Sequence, residues 1–116
     1  MNLLRSALLS LMATSSLTVF AASSSDQNAR GATVFAENGC LHCHTIRNQG
    51  GTKGPDLSGV GRRLSEAQIR SQILQGGRQM PSFADILQQS ETEDLVAYLR
   101  SCRDKGDKGD KGDKEK

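Results

Sequence analysis

Apolar residues return every three or four positions in three stretches of the chain, the spacing of one helix face. Residues 28–38 form the first stretch, with Gly31 and Phe35 one turn apart. The second opens at Ser65, which stands three residues before Gln68 in capping-box spacing; it carries Ile69 and Ile73 and stops at Gly76-Gly77. Ser90 and Glu93 repeat that spacing ahead of Leu95, Val96, Tyr98 and Leu99, which mark the third. Alternation of apolar and polar residues never lasts long enough to predict a strand. Residues 48–61 hold five glycines and Pro55 and read as loop. The pattern predicts an all-α domain with long loops.

Both ends of the chain break this rhythm. In the first 21 residues a moderately apolar stretch, residues 7–20, follows the single charge Arg5, and Val19-Phe20-Ala21 offers small residues at cleavage positions. Residues 1–21 are therefore expected to be an export signal, with a single uncleaved anchor as the alternative. Residues 22–27 read as a linker and 28–102 as the folded domain. Residues 103–116 repeat Asp-Lys-Gly without a single apolar side chain to bury, and read as a solvated, disordered tail.

Composition adds a puzzle. Of 116 residues, 35% are hydrophobic and 3% aromatic, with no Trp. A domain this small has little with which to fill a core, so a staple other than side chains is expected. Charge excludes more than it suggests: a net +2 is too weak for a nucleic-acid binder. Three cysteines are too few for a disulfide scaffold.

Two of those cysteines lie in Cys40-Leu41-His42-Cys43-His44. Cys-x-x-Cys-His is the attachment signature of a c-type haem. If the segment is helical, Cys40, Cys43 and His44 share a face, so two thiols can bond the vinyl edge of a porphyrin while the His44 imidazole reaches iron. His42 projects elsewhere. A thioredoxin-like pair would need a strand before Cys40, and a structural zinc would need a second ligand pair where only Cys102 remains. One covalent haem c, held by Cys40 and Cys43, is the reading adopted. Met1 and Met12 fall in the signal segment, which leaves Met80 as the sixth ligand, held extended by Pro81. A Met that merely fills a core gap is the plainer alternative.

These residues resemble the small monohaem cytochromes c of the Met/His-ligated class over roughly residues 28–102. Gly54-Pro55-Asp56-Leu57 and Met80-Pro81-Ser82-Phe83 add to the resemblance. It implies a cytochrome c-like fold, three to five short helices wrapped around one haem, and a Pro55 carbonyl that accepts from the His44 ring. It also implies that the first and last helices cross through Gly31 and Phe35 against Leu95 and Tyr98. The charged tail and Cys102 depart from the family. Cys102 reads as a buried thiol, with a disulfide-linked dimer as the alternative to a monomer.

Two protein ligands on iron leave no place for substrate, so the expected function is single-electron shuttling and not catalysis, in a periplasmic respiratory chain. Redox proteins are the expected partners: a quinol-oxidising complex, a terminal oxidase or a periplasmic dehydrogenase. Alternatives are a haem subunit of a periplasmic oxidoreductase or a small-ligand sensor. Residues 44–80 carry six basic groups (Arg47, Lys53, Arg62, Arg63, Arg70, Arg78) against Asp56 and Glu66, which suggests a basic face toward an acidic partner.

Overall fold

The computed structural model describes residues 23–105; the expected export signal, residues 1–21, and most of the charged tail lie outside them. Helix α1 spans Ser24–Glu37, a single 3₁₀ turn Cys40–His42, α2 Val60–Arg63, α3 Glu66–Gln75 and α4 Gln89–Ser101. Two short antiparallel strands, β1 (Thr45–Ile46) and β2 (Gln49–Gly50), form a hairpin that the sequence pattern did not predict. Its turn residues Arg47 and Asn48 both have positive φ, the requirement of the tight turn that matches strand twist. Ser58 Oγ accepts from the Arg47 amide at 2.7 Å and helps hold that turn.

Helix starts depart from expectation at two places. The Ser23 hydroxyl accepts from the Asp26 amide and Asp26 sits in the first turn, so α1 begins within the stretch read as linker. Helix α4 is opened by a reciprocal Gln88–Glu91 box, two residues before the predicted Ser90–Glu93 pair. Glu93 is instead drawn into an ion pair with Arg70 of α3. The Ser65–Gln68 box of α3 forms as its spacing predicts.

Helices α1 and α4 cross at Gly31. A Cβ there would overlap the Asp94 carbonyl oxygen and fall 2.6 Å from Tyr98 Cβ, so only glycine permits the approach. Phe35 and Tyr98 meet edge to face, their centroids 5.9 Å apart. Beneath the crossing lie Val34, Leu95, Val96 and Leu99, with Ile69 and Ile73 of α3 completing the core. Two forked pairs clamp α4 from either side: Arg30 Nε to Asp94 at 2.8 Å from α1, and Arg70 Nη2 to Glu93 at 2.6 Å from α3.

Past α4 the chain stays ordered for longer than the tail boundary implied. Arg103 donates to the Gly61 carbonyl at 2.6 Å and the Asp104 amide to the Ser58 carbonyl at 3.0 Å. Asp104 also pairs with Arg47. Cys102 is wholly buried, its thiol 3.4 Å from the Tyr98 carbonyl, and burial pushes that thiol up in pKa. This is the buried thiol that the sequence reading expected.

Candidate cofactor site

The site begins where α1 stops. Gly39, at φ +74°, turns the chain out of the helix, and the Cys40 carbonyl then accepts from the Cys43 amide at 3.2 Å and the His44 amide at 2.9 Å. The motif is thus wound into little more than one turn, shorter than the helix its spacing suggested. Cys40 and Cys43 are free, half-buried thiols, whereas His42 is exposed. Burial raises the Cys40 thiol pKa, a backbone hydrogen bond opposes this, and the neighbouring Cys43 adds to it.

A glycine-rich loop lies against the backbone of this turn. The Gly51 amide donates to Leu41 O at 2.8 Å, Gly54 to Cys43 O at 2.7 Å, and Leu57 to Thr45 O at 2.8 Å. Added Cβ atoms at Gly50 and Gly51 would overlap the carbonyl oxygens of His44 and His42. At Gly54 one would sit 2.7 Å from His44 Cε1, so the glycine leaves room for the ring itself. His44 Nδ1 lies 2.8 Å from the Pro55 carbonyl oxygen. A carbonyl can only accept, so Nδ1 carries the proton and Nε2 keeps a lone pair free to bind a metal.

Met80 sits on the loop after α3, half-buried against the core. Its carbonyl accepts from the Gly77 amide at 2.9 Å, and Gln72 Nε2 approaches its Sδ at 3.7 Å. Sequence reasoning missed Gln72: it lies on the exposed face of α3, where no periodicity marks it. An open concavity of about 470 Å³ runs along that face from Leu64 to Gly76; its wall includes Gln72 but none of Cys40, Cys43 and His44.

The residues fit a c-type haem. Leu57, Leu64, Met80 and Phe83 are apolar, packed on the core and only partly covered, the surface a flat apolar ring requires. The imidazole is already polarised toward Pro55, as metal-ligating histidines are. The rival readings fare worse. Helix α1, not a strand, precedes Cys40. Among the described residues no group of three His, Cys, Asp or Glu side chains stands ready for a metal ion, and Cys102 is buried at the end of α4.

The basic half is less charged than its sequence count suggested. Arg47 is paired with Asp104 and Arg70 with Glu93, both forming side-chain hydrogen bonds that raise the guanidinium pKa.

Known proteins confirm the class and then the family. SorU, a c-type cytochrome from Sinorhizobium meliloti, shares the fold with a TM-score of 0.58 and 25% identity over 68% of this chain and 93% of its own. The architecture is that of a c-type cytochrome. Residues 26–99 match the family model described as cytochrome c oxidase, cbb3-type, subunit III, and the chain belongs to this cytochrome c family. Cytochrome c6 of Synechocystis is 35% identical over 67% of this chain and 68% of its own length. Cytochrome c oxidase subunit 2 of Alkalihalophilus pseudofirmus is 34% identical over 64% of this chain, which spans only a quarter of that relative's length. Membership of this family implies a covalent haem c.

Proposed function

We propose that the protein carries single electrons on one haem c bonded through Cys40 and Cys43, with His44 and Met80 as axial ligands, in an exported, periplasmic respiratory chain. The observation that carries this reading is the His44–Pro55 hydrogen bond, which leaves Nε2 as the ligand atom beside two free thiols. The haem supplies the one-electron Fe(III)/Fe(II) couple. The chain's own residues set its terms. Pro55 fixes the plane of the imidazole and makes it more basic. Met80 offers a soft, neutral sulfur that favours the reduced iron and so raises the potential. With His44 and Met80 both holding the group, neither redox state would call for a change of ligand, which suits a carrier and not a catalyst. Partners in this reading are a quinol-oxidising complex, a terminal oxidase or a periplasmic dehydrogenase.

A second reading is favoured by the quarter-length match to an oxidase subunit: the domain serves as the haem module of one dedicated oxidoreductase. A stable co-purifying partner would select it over a freely diffusing carrier.

The oxidised, haem-loaded protein is expected to show a sulfur-to-Fe(III) charge-transfer band that disappears in Met80→Ala while the far-ultraviolet helical signal persists. A wild-type spectrum without that band would refute Met80 as the ligand.

A further inference from the structure

Ser58 is buried, and each of its polar groups is engaged. Its hydroxyl oxygen accepts from the Arg47 amide at 2.7 Å, and its one hydroxyl hydrogen goes to Asp56 Oδ1 at 2.6 Å. The Ser58 amide donates to that same carboxylate oxygen at 2.8 Å, and its carbonyl accepts from the Asp104 amide at 3.0 Å. Asp104 then turns its carboxylate back to Arg47 Nε at 3.0 Å. Ser58, Arg47 and Asp104 thus close a ring that joins the hairpin turn, the glycine-rich loop and the chain beyond α4. The ring reaches the candidate ligand from both directions of the sequence. Arg47 follows His44 by three residues, and Asp56 follows Pro55, whose carbonyl faces the His44 ring.

The Pro55 carbonyl belongs to the peptide plane between Pro55 and Asp56. Backbone bonds from Gly54 to Cys43 O and from Leu57 to Thr45 O hold the loop at its distance, yet neither fixes the tilt of that plane. Tilting it reorients the groups on the Asp56 Cα, and these are pinned. Two bonds from Ser58 hold the carboxylate, and Arg63 Nη2 donates to the Asp56 carbonyl at 3.1 Å. We infer that Ser58 is a positioning residue for His44: through Asp56 it keeps the Pro55 carbonyl on the imidazole N–H, and Asp104 clamps it to the hairpin. This rests on His44 being an axial ligand. A firmly held acceptor keeps the imidazole basic, which supports Fe(III) more than Fe(II) and lowers the potential. The chain that runs on from Asp104 into the charged repeat is thereby fastened to the ligand loop.

The test uses the full haem-loaded chain with Ser58→Ala, Ser58→Thr and Asp104→Ala. The readouts are the redox equilibrium against a fixed mediator and hydrogen exchange at the His44 ring of the reduced protein. Ser58→Ala is expected to shift the equilibrium about twofold toward the reduced form and to speed ring exchange about fivefold, the range one hydrogen bond spans. Ser58→Thr keeps the hydroxyl and should restore both. Asp104→Ala should move both in the same direction by less, because its pair with Arg47 is exposed. A purely structural role for Ser58 would lower the denaturation midpoint and leave potential and ring exchange in place, since the closed and the opened ring would lose the same bonds. Wild-type potential and exchange in folded Ser58→Ala would overturn the inference. So would a Ser58→Thr variant that melts like the wild type but has the potential of Ser58→Ala. Wild-type values in Asp104→Ala would remove the part of Asp104 alone. A wild-type His44 ring with no upfield porphyrin shift in its resonances would instead remove His44 as the ligand, and this inference with it.

Discussion

The His44 side of the site is assembled from one continuous stretch, residues 39–57, whereas the Met80 side needs two elements held together. Around His44 the turn, the hairpin and the glycine loop bond to one another through successive backbone amides and carbonyls, and Gly54 leaves the ring the space a Cβ would take. Around Met80 the bonds run from a loop back to the end of α3, and one of them is a long contact to sulfur. Backbone bonds within a short segment form at small loop-closure cost, so the first side is rigid by local construction. The second inherits its order from the packing of α3 on α4. On this construction the Met80 side is expected to open before the His44 side.

Breaking both sides at once is the largest perturbation. Cys40→Ala with Cys43→Ala removes both covalent tethers. The chain is expected to lose its cooperative melt in circular dichroism, because the apolar residues about the site then lack the group that completes the core. A native-like transition in that variant would show that the side chains suffice alone.

Attacking the His44 side alone comes next. Gly54→Ala places a methyl group 2.7 Å from His44 Cε1, and the ring or the loop must move at a cost of about 1–3 kcal/mol. The denaturation midpoint of the haem-loaded protein should fall accordingly. An unchanged midpoint would mean that this side yields more readily than its hydrogen bonds suggest.

Acid has the smallest effect and probes both sides through α4. Asp94 and Glu93 lie below their ordinary carboxylate values, chiefly through side-chain hydrogen bonds to Arg30 and Arg70 respectively. A folded-state value below the unfolded one means that each pair stabilises the fold at neutral pH. That contribution is lost as pH falls through the unfolded and then the folded value. The pairs are partly exposed, so the change is modest and shrinks with added salt. Since Arg70 belongs to α3, Arg70→Leu is expected to lower slightly the denaturant concentration at which the sulfur-to-iron band is lost. Arg30→Leu should leave that midpoint nearer the wild-type value. Equal loss in the two variants would erase the distinction between the sides.

Much of this was legible in the residues, for reasons that differ from element to element. Ser65–Gln68 predicted the start of α3 because a capping box is satisfied within four residues. The same spacing at Ser90–Glu93 misled, since Gln88–Glu91 carries an equivalent pattern and Glu93 has a better partner in Arg70. Ser23 and Asp26 looked like linker because polar residues suit both a cap and a coil. The short hairpin could not be read, as two-residue strands are too brief for alternation to register.

What the order of residues determined by itself was the local chemistry: two thiols and an imidazole within one turn, and the composition of a domain short of core. These follow from fixed backbone spacings that operate over a few residues. Tertiary structure alone decided that Arg103 and Asp104 are tied back to Gly61 and Ser58, that Arg47 pairs with Asp104, and that the Gln72 amide faces the Met80 sulfur. Each of these depends on how separate segments lie against one another, which packing settles and local spacing does not.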